Sequence, residues 1–158
     1  DESRLQRRMF RMFGVEGTSP LHFATSAKMI GGGLDEQLEK FVREHSDTKL
    51  VIVDTLQKVR EAVSDSYSYS SDYEVIGKLK QFADRYGVCV LIVHHTRKQP
   101  AGDSFEMISG TTGLLGCADG ALLMQKEKRT DSKATLEVVG RDQPDQRLYL
   151  SKDQESLV

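Results

Sequence analysis

The segment 50–55, LVIVDT, sets an acid and a hydroxyl directly after a run of apolar residues. The run is too short to span a membrane and fits a buried strand. Open α/β sheets present ligand-binding groups at the carboxyl ends of such strands. A second apolar run, GVCVLIVHH at 87–95, finishes in two histidines. Two strand ends therefore carry polar side chains, Asp54–Thr55 and His94–His95. A carboxylate there can hold the water shell of Mg2+, which takes oxygen ligands and keeps several waters. A histidine on the neighbouring strand can donate a hydrogen bond to phosphate. The alternative for Asp54 is a helix cap or a loop-anchoring hydrogen bond. His94 and His95 alternate faces along a strand, so only one can point to a given side.

The elements that must position these groups can be read from periodicity. Residues 3–13, SRLQRRMFRMF, place Leu5, Met9, Met12 and Phe13 on one helical face and arginines on the other. LHFAT at 21–25 has the alternation of a short strand. GGG at 31–33 breaks the chain before a helix over 34–45 with Leu34, Leu38, Phe41 and Val42 on one face and acids in its first turn. Residues 56–71 form a polar loop with the low-complexity piece SDSYSYSSD. A helix over 72–86 carries Val75, Ile76, Leu79, Phe82, Ala83 and Tyr86 on one face, and Ser71 and Glu74 have capping-box spacing. Both apolar strands read as buried on two faces, as parallel strands between helix layers are. A short helix and a strand near 120–125 follow. The segments 133–141 and 146–153 alternate apolar and polar residues about DQPD, the pattern of an antiparallel hairpin. This order specifies an α/β parallel sheet with an antiparallel edge.

Composition sets the frame. The 158 residues suffice for one domain with a sizeable core. Hydrophobic residues make up 38% and charged residues 29%, as in globular proteins, and a net charge of −2 gives no bulk signature of nucleic-acid binding. Cys89 and Cys117 stand far apart, with neither metal-ligand spacing nor a disulfide framework, and read as core fillers in a reducing, cytoplasmic protein.

The segments KLVIVDTLQKVR, YEVIGKLKQFADRYGVCVLIVHHTRK, ISGTTGLLGCADGALLMQ and LEVVGRDQPDQRLYL, in that order, resemble the RecA-like ATPases. The likeness is greatest to the plasmid RepA-type, hexameric replicative helicase branch of the AAA class, and it covers nearly the whole chain. It implies a RecA-like (P-loop NTPase) three-layer α/β fold, mostly parallel, with an antiparallel C-terminal hairpin and ATP and Mg2+ as cofactors. Asp54 matches the Walker B acid. His95, or its neighbour His94, falls where a polar sensor follows the adjacent strand, with Thr55 beside the nucleotide. Thr96, Arg97 and Lys98 begin a loop that in RecA-like proteins can face single-stranded DNA. Arg141 matches the region that sends a basic finger into the next subunit's nucleotide. The alternative there is a surface ion pair with Asp142.

The departures from the family pattern are as informative. No G-x-x-x-x-G-K-[ST] occurs, and GGGLDEQL has neither the lysine nor the hydroxyl that completes a phosphate cradle. Its glycines read as a loop into a helix. The family's catalytic Glu belongs to a strand preceding the first helix, and Asp1 and Glu2 resemble the tail of that motif. The expectation is a single partial RecA-like domain over 1–158 that lacks the P-loop strand and leaves a strand edge open. Two functions follow from it. The parent protein is an ATP-driven motor on single-stranded DNA, assembled as a homo-oligomeric ring, or the chain is a non-enzymatic RecA-like module for assembly or docking.

Overall fold

Val51, Val53, Val90 and Ile92 have the same parity on two strands, and burying that one face brings the strands together. In the computed structural model, β1 (Leu50–Asp54) and β2 (Cys89–Val93) pair in parallel, Leu50 opposite Cys89 and Asp54 opposite Val93. The structure describes residues 2–14, 20–60, 69–96, 105, 108, 112–128, 130–153 and 155. The helices are α1 (Glu2–Phe13), α2 (Leu34–Glu44), α3 (Leu56–Val59), α4 (Tyr69–Tyr86) and α5 (Thr112–Cys117). Three further strands, β3 (Gly120–Gln125), β4 (Lys133–Gly140) and β5 (Gln143–Ser151), form a second sheet in that order. The chain divides into two compact units, one of residues 27–120 and one of 1–26 with 121–158.

In the first unit, α2 and α4 pack together, and α4 also meets β2 and α5. Val53 joins Ile30, Leu34, Leu56, Val59, Ile76, Leu79, Leu114 and Cys117 in the main core. A second cluster, Val42, Phe82 and Val88, gathers Val51 and Val90. Ion pairs decorate this packing from outside. Lys80 donates to Asp119 at 2.8 Å and to Asp84 at 3.3 Å, and these bonds hold its pKa above the ordinary lysine value. Arg85 meets Glu39 at 3.0 Å.

The second unit contains the hairpin. β4 and β5 are antiparallel, with Glu137 opposite Arg147 and Leu136 opposite Leu148. A register shift lies between Val138 and Gly140, and Pro144 stands across from it, where a missing N–H costs least. The Arg11 guanidinium donates to the Glu155 carbonyl at 2.8 Å, tying α1 to the C-terminal segment.

Several expectations are corrected. Residues 21–25 form no strand: Leu21 and Phe23 are exposed, and alternation without a partner makes no ladder. Residues 56–59 are helical, not loop, because Leu56 and Val59, three apart, both reach the core. α4 starts at Tyr69, so Ser71 lies inside the helix and is not its cap. The two central strands are covered on one face only. On the other, Leu50, Ile52 and Val93 keep 50%, 55% and 36% of their surface exposed, and Cys89 is exposed with them, while Cys117 is buried. The hairpin turns at Arg141–Asp142, two residues earlier than DQPD suggested. α1 is amphipathic as expected, yet none of its residues is buried.

Leu56 is almost wholly buried, and truncation of such a leucine loses transfer energy and leaves a cavity. Leu56→Ala is expected to lower the unfolding free energy by about 2–5 kcal/mol. Arg85→Ala, which removes only a surface pair, should cost less than about 1 kcal/mol. Urea denaturation of the two variants measures the difference. Equal costs would show that the Leu56 core does not carry the stability.

Candidate functional site

Alternation along β1 places Leu50, Ile52 and Asp54 on the uncovered face, with Asp54 at the carboxyl end. Its side chain is exposed, and among the described residues no hydrogen bond or ion pair engages its carboxylate. The helix-cap alternative fails on geometry. The residue preceding α3 is Thr55, in extended conformation, and no side-chain cap bond forms there. The Lys58 N–H instead reaches the Thr55 carbonyl at 2.9 Å. The peptide joining Asp54 to Thr55 is cis. Directly beyond it, Leu56 and Val59 plug into the core, so the acid is held between an anchored strand and an anchored turn.

β2 ends beside it. Val93 lies opposite Asp54, so His94 and His95 extend just past the level of the acid. His94 is half-buried, with its Nδ1 shielded from solvent, whereas His95 is exposed. Thr96 makes an isolated antiparallel bridge to Ile108, which closes the segment that follows. Arg97 and Lys98, the candidate DNA contacts, lie outside the described residues. Arg141 occupies the exposed turn between β4 and β5, in the other unit, and is engaged in an interaction of its own. The structure thus brings Asp54, Thr55, His94 and His95 to one end of the parallel pair.

One part of this end was not legible in the sequence. The Ile30 N–H donates to the Val59 carbonyl at 2.7 Å, lashing the glycine loop to the turn after β1. Gly31 and Gly33 both have positive φ, 84° and 107°, and a Cβ at Gly33 would stand 2.7 Å from Lys28 Cδ. Glycine is required there by backbone conformation and by the lysine crossing it. The loop feeds α2 as its composition suggested. No local pattern announces Lys28, because its approach depends on the tertiary tie through Val59.

An exposed carboxylate on a rigid strand tip is a hard oxygen donor with room for a hydrated divalent ion, so Asp54 fits Mg2+ held through water. Among the described residues no group of three or more His, Cys, Asp or Glu side chains forms a direct metal cage. The donors for a triphosphate are not assembled in the same way. The glycine loop lacks the lysine and hydroxyl of a P-loop, and two acids, Asp35 and Glu36, occupy the first turn of the helix it enters.

Comparison with known proteins gives this geometry a family. The AAA domain model matches residues 2–101. No curated protein matches the chain. Among solved structures, the chain is similar to an isolated ATPase domain, with 15% identity and a TM-score of 0.66, covering 85% of this chain and 51% of that one. It is similar as well to the structure of a DnaB-like replicative helicase and its interactions with primase, with 15% identity and a TM-score of 0.68 over 85% of this chain and 36% of that one. The chain spans about half the length of the first and little more than a third of the second. With the family model covering most of the residues that build the Asp54 end, the chain belongs to the AAA domain family, and its fold is the RecA-like one of helicase ATPase domains.

Proposed function

We propose that this chain is the Walker B half of a RecA-like ATPase whose parent protein is an ATP-dependent helicase or replication motor acting on single-stranded DNA. The observation that carries the reading is the carboxylate of Asp54, exposed and unpaired among the described residues at the tip of β1, in a chain of this family. In the parent, Asp54 holds Mg2+ through water. Bound Mg2+ supplies charge neutralisation on the phosphates. Thr55 lies beside the nucleotide, and His95 donates a hydrogen bond toward the γ-phosphate, with His94 behind it fixing the strand end. Arg141 reaches the nucleotide of a neighbouring subunit, where a guanidinium opposes charge on the transferred phosphoryl group. That role makes the parent a homo-oligomer, a hexameric ring in the reading proposed. Arg97 and Lys98 contact the phosphates of single-stranded DNA without reading sequence. No helix of the described residues is long and apolar enough to cross a membrane. A motor on DNA would work in the cytoplasm.

A second reading rests on a specific observation. These 158 residues hold no P-loop, so the chain by itself is an assembly or docking module. The two readings are compatible when the phosphate cradle is supplied by further sequence of the parent.

Three measurements test this. The chain alone, titrated with a non-hydrolysable ATP analogue and Mg2+, is expected to bind on the order of millimolar at best, because the backbone cradle and its lysine are missing. Micromolar binding would show that the phosphate site lies within these residues. In the longer protein, Asp54→Asn is expected to lower kcat by at least about a hundredfold while the apparent KM for ATP changes little. Unchanged turnover would remove the metal role. Asp54→Asn and Arg141→Ala protomers, each inactive, should regain part of the ATPase activity on mixing, since mixed interfaces re-form an intact pair. No recovery at any ratio contradicts action in trans.

A further inference from the structure

The outer edge of β5 is open in a way that its own sequence can close. All nine residues of the strand are exposed, and β5 ends the order β3-β4-β5. The Lys152 N–H donates to the Ser132 carbonyl at 2.7 Å, and the ladder register places these two residues opposite each other. Antiparallel alternation then fixes the rest: Leu150, Leu148 and Gln146 turn their backbone groups toward β4, and Ser151, Tyr149 and Arg147 turn theirs outward. Among the described residues no strand pairs with that outward edge. Natural edges are blunted by proline, lysine or bulges. Here Pro144 and the register shift protect only the end near the turn, and β5 contains no lysine. Leu148, Tyr149 and Leu150 remain 42%, 79% and 36% exposed along the unprotected stretch.

We propose that this edge pairs antiparallel with the same edge of a second copy of the chain, with Leu148 on the twofold axis. A twofold contact requires self-complementarity, and this register supplies it. Leu148 meets Leu148 of the second copy. Arg147 lies opposite Tyr149 of the second copy and the reverse, a cation against an exposed aromatic ring. Asp145 meets Ser151 of the second copy, and no like charges face each other. Outward groups must meet outward groups, so the register moves only in paired steps. Centring one step toward the turn sets Arg147 against its own copy, and centring one step away sets Asp145 against Asp153 of the second copy. Sliding further toward the turn runs the ladder through Pro144 and the register shift. Arg147 is already held by Glu137 at 2.9 Å, which fixes its guanidinium on the face where the second copy's tyrosine arrives. The contact is twofold, whereas the one through Arg141 is head-to-tail, and it depends on no part of the motor reading.

Light scattering across a dilution series of the unmodified chain is expected to give twice the single-chain mass at high concentration and the single-chain mass on dilution. Tyr149→Pro removes an outward N–H without touching the β4 ladder, and should give the single-chain mass throughout, with an unchanged circular dichroism spectrum. Hydrogen exchange of the unmodified chain supplies a readout that needs no variant: the amides of Arg147, Tyr149 and Ser151 should exchange more slowly as concentration rises. A single-chain mass at every concentration, an assembly that survives Tyr149→Pro, or exchange at those amides independent of concentration would each overturn the proposal.

Discussion

One-sided burial of a parallel strand pair is the constraint on which the site depends. β1 and β2 stay in register because Val51, Val53, Val90 and Ile92 pack on the α2 and α4 side. Each such side chain contributes about 1.5–3 kcal/mol when fully buried. A slip of one residue would turn the whole set to the other face, so the register is strongly specified. With parity fixed, Asp54 has no freedom of position: it must emerge on the uncovered face, at the carboxyl end, beside the exit of β2. The turn that follows reinforces this, because Leu56 and Val59 bury within the same core that holds Val53.

The energetic contrast between core and surface explains how an exposed acid can be kept unpaired. The pairs Lys80–Asp119, Arg85–Glu39 and Arg147–Glu137 are solvent-facing, where each is worth at most about 1 kcal/mol. The unit does not need Asp54 for a structural salt bridge, and none is made among the described residues. Its hydration costs nothing while exposed, and its charge is left for a partner from outside. The uncovered face of the strand pair belongs to the same picture. Leu50, Ile52 and Val93 are residues of a sheet with another layer, and the similar solved structures are two to three times as long as the part this chain matches.

What the sequence disclosed follows from the range of the interactions involved. The parallel strands, α2, the body of α4 and the hairpin arise from local periodicity, so Leu34, Val42, Leu79 and Phe82 were legible as core and Asp54 as a strand tip. α3 escaped because four residues are too few for a period, although the spacing of Leu56 and Val59 was the available signal. The strand at 21–25 was misread because alternation is a local property and a strand is not: Leu21 and Phe23 needed a partner they do not have. Cys89 was misread as buried because a continuous apolar run does not say whether one face or two will be covered. Arg141 was placed correctly in the hairpin but one element off, since DQPD offered a better turn composition than the Arg141–Asp142 pair that the ladder register selects. The glycine loop was identified, but its tie to Val59 and the lysine across Gly33 are tertiary facts with no sequence pattern of their own.

The claim at the centre is that the Asp54 carboxylate stands within reach of the metal ion of a bound nucleotide in the parent protein. Replacing Mg2+ by Fe2+ there and generating hydroxyl radicals in place cuts the polypeptide next to the ion. The account predicts nucleotide-dependent cleavage of the backbone around Asp54 and the exit of β2, lost on competition with Mg2+. Cleavage elsewhere, with residues 50–60 and 89–96 untouched, would contradict it.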